Sequence, residues 1–73
     1  MPPRLLSYRD VRRKPLAAGF TETSRRGSHV KFAKAIQGGT RTVIVPDHRE
    51  IARGTLRSII RQAGLTPDAF DNL

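Results

Sequence analysis

The chain has 73 residues and no cysteine, and its 14 lysines and arginines against 6 aspartates and glutamates give a formal charge of +8. A chain of this length makes at most one domain and buries only about 60% of its unfolded surface, which leaves no room for a deep cavity of its own. The charge selects polyanionic partners, and the absence of thiols excludes disulfides, thiolate zinc sites and cysteine nucleophiles.

No apolar run approaches the ~20 residues of a membrane-spanning helix. The start, Met1-Pro2-Pro3-Arg4, lacks the apolar stretch of a signal peptide. A cytoplasmic protein without membrane contact is therefore expected, with one domain over residues 1–73 and a flexible N-terminus at 1–6.

The first helix is expected from Tyr8 to about Ala18. Ser7 and Asp10 have capping-box spacing, and Gly19 supplies a left-handed end. Tyr8, Val11, Leu16 and Ala18 form its apolar side. Pro15 interrupts this pattern on the face that should be buried. It removes a hydrogen bond to the Val11 carbonyl at a cost of roughly 3 kcal/mol. The helix is expected either to kink there or to end near Lys14 and restart.

Phe20 to Arg25, Ser28 to Lys34 and Arg41 to Val45 read as three strands. Arg26-Gly27 and Gln37-Gly38-Gly39 provide the turns. Along the second strand, Val30 and Phe32 face one way, and His29, Lys31 and Ala33 the other. A second helix is expected from an N-cap at Thr55 to Gly64, with Leu56, Ile59, Ile60 and Ala63 at helical spacing. Thr66-Pro67-Asp68 opens a short terminal helix. The expected fold is a two-layer α+β domain of order α-β-β-β-α.

No glycine-rich phosphate loop, serine nucleophile elbow or metal-ligand spacing is present, so no metal or other cofactor is expected. The histidines remain. His29 follows Gly27-Ser28 at the mouth of a turn, on the open face, with Arg25, Arg26 and Lys31 nearby. A neutral imidazole beside cations suits removal of a proton from a ribose 2′-hydroxyl, with the cations steadying charge on the phosphorane. An exposed histidine in a basic turn is more often a plain surface residue or a phosphate contact than a catalyst. His48, after Pro46-Asp47, has the same two readings. Arg53, Arg57 and Arg61 recur every fourth residue, as either a solvated helix face or a phosphate-contacting stripe.

Taken together, Ala18-Gly19-Phe20, Arg26-Gly27-Ser28-His29, Val43-Ile44-Val45-Pro46-Asp47-His48 and Gly54-Thr55-Leu56-Arg57-Ser58-Ile59 resemble the HicA family of type II toxins. The resemblance covers about residues 7 to 73. It implies a fold similar to a double-stranded RNA-binding domain and an mRNA-cleaving toxin that stops translation. It also implies a HicB-type antitoxin partner, with DNA reached only indirectly through that antitoxin. By the resemblance His29 is the catalytic residue, with Gly27, Ser28 and His48 in support. Arg25, Arg26, Lys31, Arg53, Arg57 and Arg61 are the expected RNA contacts. Family members usually carry an aliphatic residue, often leucine, where this chain has Pro15, so Pro15 is expected to weaken the fold and with it the activity. The rival readings are a non-catalytic RNA-binding module and an interaction domain for an acidic protein.

Overall fold

A computed structural model describes residues 5–73. The expected flexible N-terminus falls outside these residues except for Leu5 and Leu6, and the Leu6 carbonyl accepts the Ile51 N–H at 2.7 Å. The elements are α1 (Tyr8–Ala17), β1 (Thr21–Arg26), β2 (His29–Ile36), β3 (Gly39–Pro46), α2 (Arg53–Gln62) and α3 (Pro67–Asp71). This is the expected α+β order. The strands form one antiparallel meander in the order β1-β2-β3.

The capping box at the start of α1 is present. The Ser7 hydroxyl accepts the Asp10 N–H, and the Asp10 carboxylate accepts the Ser7 N–H. The helix does not end near Lys14: it runs unbroken through Pro15, which is fully buried. Pro15 cannot donate to Val11, but its carbonyl accepts Phe20 N–H at 2.9 Å while Gly19 N–H reaches Leu16. With Gly19 at φ +95° this is a Schellman ending, and it directs Phe20 into the core rather than into β1. The end of α2 repeats the device through Gly64 and Leu65, which donate to Arg61 and Ile60.

The turns differ by one residue from expectation. Gly27-Ser28 forms the first turn, so β2 begins at His29, and Gln37-Gly38 forms the second. The first turn carries its glycine at φ +59° in the leading position, which fits a type II′ hairpin and matches strand twist. β1 has a bulge at Thr23: Glu22 pairs with Phe32 and Ser24 with Lys31.

The expected N-cap at Thr55 is not the observed one. The cap falls three residues earlier, at Ala52, and makes no side-chain bond. The start of α2 is set by Ile51, which is buried in the core with its N–H tied to Leu6. A tertiary anchor therefore overrides the local capping preference. Thr66 does cap α3, accepting the Ala69 N–H.

The core lies between one sheet face and the helices. Val30, Phe32, Val43 and Val45 project from the sheet, and Val11, Ile59, Ala63 and Phe70 meet them from the three helices. Lys14 ties the chain end to α1 through the Asp71 and Leu73 carbonyls. Among the described residues, no helix is long and apolar enough to cross a membrane.

Candidate active-site groove

His29 is the first residue of β2. Because Val30 and Phe32 are buried, the pleat puts His29 and Lys31 on the open face. Arg26 pairs directly with His29 across the hairpin, and Pro46 pairs with it on the other side. Arg26 and Lys31 are thus its cationic neighbours: one is opposite, at about 5 Å between Cβ atoms, and the other is two residues along the strand.

Arg25 lies elsewhere. It pairs with Val30 and so belongs to the helix-facing side of the sheet. Its guanidinium donates to Asp47 at 2.8 Å and stacks over the Tyr8 ring at 5.8 Å. The Asp47 hydrogen bond, outweighing desolvation and aided by the Asp47 charge, raises the Arg25 pKa above its ordinary value.

Asp47 also connects the two histidine segments. Its backbone N–H donates to the Ser28 carbonyl at 2.6 Å. His48 follows, with its N–H on the Pro46 carbonyl and its own carbonyl accepting Tyr8 N–H, each at 2.9 Å. The backbone of His48 is thereby pinned between α1 and the end of β3.

His29 and His48 line one groove of about 380 Å³. Its sheet wall is His29, Ile44 and Pro46. Its helix wall is Thr55, Ser58, Ile59 and Gln62, and the His48–Ala52 segment closes one end with Glu50 and Ile51. Thr55, Ser58, Ile59 and Gln62 fall on one stripe of a 3.6-residue helix. The Ile44 N–H points out of the sheet and donates to the Gln62 side-chain oxygen at 2.9 Å. By alternation, the donor that Pro46 lacks also falls on this outer edge, so the proline costs no ladder bond.

Arg53, Arg57 and Arg61 are all exposed. Counted at 100° per residue, their stripe is turned roughly 150° from the groove wall of the same helix. The six expected RNA contacts therefore form three groups: Arg26 and Lys31 beside His29, the α2 stripe facing away from the groove, and Arg25 held by Asp47. Gly27 and Ser28 form the turn that sets the direction of His29. Among the described residues, no three His, Cys, Asp or Glu side chains gather as metal ligands.

The polar helix wall was not anticipated as part of a site. Thr55, Ser58 and Gln62 carried a signal, since they repeat at helical spacing beside the apolar stripe. That signal was masked by the stronger arginine repeat and by the expected capping role of Thr55.

Comparison with curated protein sequences gave no match. The sequence model of one family, described as the HicA toxin of bacterial toxin–antitoxin, matches residues 8–65. That span includes α1, the whole sheet, both histidines and all of α2. The chain belongs to the HicA toxin family, and its role is that of the toxin partnered by an antitoxin.

Proposed function

We propose that this toxin is a metal-independent endoribonuclease that cleaves mRNA and so inhibits translation, and that its antitoxin is of the HicB type. The observation that carries this reading is the placement of His29: it lines a groove with His48 and has Arg26 and Lys31 beside it on the open face.

His29 accepts the proton of a ribose 2′-hydroxyl. The 2′-oxygen attacks the adjacent phosphorus, and the bond from phosphorus to the 5′-oxygen breaks. The His29 imidazolium returns its proton to the leaving oxygen. The products are a 2′,3′-cyclic phosphate and a 5′-hydroxyl end. Arg26 and Lys31 stabilise the charge that develops on the phosphorane oxygens. His48 supports the site by holding the ribose–phosphate against His29. The nucleophile belongs to the substrate, so no metal is needed to generate one.

The test is incubation of end-labelled single-stranded RNA with the antitoxin-free protein in excess EDTA, beside His29→Ala. The expected result is cleavage by the parent alone, leaving cyclic phosphate ends. Tight binding without cleavage by these two proteins and by Pro15→Leu would make the chain an RNA-binding module.

A further inference from the structure

Among the described residues, no lysine or arginine lines the groove beside His29, although the chain carries fourteen. Its titratable lining residues are the two histidines and Glu50, whose carboxylate repels phosphate. The cations nearest His29, Arg26 and Lys31, stand on the open face. His29 thus marks a boundary between a cationic surface for the phosphate chain and a slot without cations, with Glu50 at one end, for another part of the nucleotide. About 380 Å³ falls within the range of small-molecule pockets, and half-buried Ile44 offers apolar surface to a base, with buried Pro46, Ile51 and Ile59 forming the floor beneath.

Gln62, on the helix wall of this slot, has a fixed polarity. The Ile44 N–H donates at 2.9 Å to the Gln62 amide, and only the oxygen end of an amide can accept it. The end of Gln62 left for a ligand is therefore the NH₂ group, a donor. The Thr55 and Ser58 hydroxyls rotate to donate or accept and so tolerate either kind of edge.

We propose that the groove receives the base of the nucleotide whose 2′-hydroxyl faces His29, and that Gln62 selects bases with a carbonyl at the reading edge. Uracil and guanine present that carbonyl, where cytosine and adenine present an amino group. This rests on the ribonuclease reading above.

Gln62→Glu tests it, because the carboxylate keeps an oxygen for Ile44 N–H but replaces the donor by an acceptor. Parent and variant are given single-stranded RNA of randomised sequence, and the new ends are sequenced. The parent should cut after uridine and guanosine about five-fold more often than after cytidine and adenosine, as expected for one hydrogen bond made or lost. The variant should reverse that order, whatever its total rate. An identical preference in both proteins overturns the proposal.

A second measurement is independent of catalysis. Uridine 3′-phosphate and cytidine 3′-phosphate are titrated into ¹⁵N-labelled protein while the Gln62 side-chain amide resonances are followed. A larger shift with the uridine nucleotide upholds the base site even if the protein cuts no RNA. Cleavage without any such shift overturns the base site and leaves the ribonuclease intact.

Discussion

The Asp47 amide donates to the Ser28 carbonyl at 2.6 Å, and the Asp47 carboxylate takes Arg25 from the same hairpin at 2.8 Å. One residue therefore clamps the segment carrying His48 to the hairpin carrying His29. Both Arg25 and Asp47 are exposed, and exposed ion pairs contribute little to stability. Their effect should appear in the alignment of the site. Asp47→Ala should lower kcat/KM on RNA by about ten-fold, since small misplacements of reacting groups are costly, and should leave the melting temperature almost unchanged. Steady-state kinetics beside a thermal melt checks this. A large loss of stability with normal kinetics of the folded fraction would show the clamp to be structural only.

The two histidines should differ in weight. His29→Ala should lower cleavage by about 10²–10⁴-fold, the range for loss of a general acid–base group. His48→Ala should reduce cleavage less and should raise KM more than it lowers kcat, as expected of a residue that positions the ribose–phosphate. Single-turnover and steady-state assays on the two variants separate these outcomes. Equal losses in kcat would place His48 in the chemistry alongside His29.

The arginine groups predict distinct salt behaviour. Each phosphate contact with a single strand contributes about 0.7 to the slope of log K against log salt. Removing Arg26 and Lys31 together should flatten the slope by about 1.4 and also slow cleavage of bound RNA, because both flank His29. Removing Arg53, Arg57 and Arg61 should weaken binding without changing kcat, since their stripe faces away from the groove. Arg25→Ala should leave the slope unchanged. Affinities measured at several salt concentrations test all three statements.

Much of the fold was legible because short-range rules and tertiary needs agreed. Ser7 with Asp10, Gly19, Gly64 and Thr66 each perform the capping or terminating role that their residue type favours. The alternation around Val30 and Phe32 placed His29 on the open face. Where long-range contacts decide, the local signals ran out. Ile51 begins α2 through a bond to Leu6 that no spacing rule encodes. The face taken by Arg25 follows from its pairing with Val30, and a one-residue change of register reverses the face of every side chain on a strand. The groove was illegible for the same reason: its walls come from β2, β3 and α2, and only the packed fold brings Ile44 to Gln62.

Gly27 has a conformational role without a steric one. A Cβ placed there meets nothing within 4 Å, yet the residue sits at φ +59°. Gly27→Ala should therefore destabilise the protein by about 1–2 kcal/mol through left-handed backbone alone. Gly27→Asn should cost less, because asparagine tolerates this region. Denaturant melts of the two variants check the order, and equal stabilities for Gly27, Ala and Asn would contradict it.

Pro15 is the one residue in α1 that a helix does not favour. The helix continues through it, and its ring is completely buried near Val11 in sequence and face. An interior proline is disfavoured by about 3 kcal/mol relative to alanine. Its fixed φ offsets about 0.4–1 kcal/mol of this by stiffening the unfolded chain. Pro15→Leu restores an N–H for the Val11 carbonyl and keeps an apolar side chain in the core. The expected net gain is about 1–2 kcal/mol, after some cost of seating a larger side chain in a packed core. At about 4–8 °C per kcal/mol for a domain of this size, the melting temperature should rise by about 4–16 °C. Pro15→Ala tests the backbone effect separately, because it restores the N–H without adding volume. A lower melting temperature for both variants would mean that the ring's packing outweighs the missing hydrogen bond, and that Pro15 stabilises this helix. If Pro15→Leu also raises RNA cleavage per folded molecule, the proline limits activity as well as stability, since α1 holds the His48 carbonyl through Tyr8.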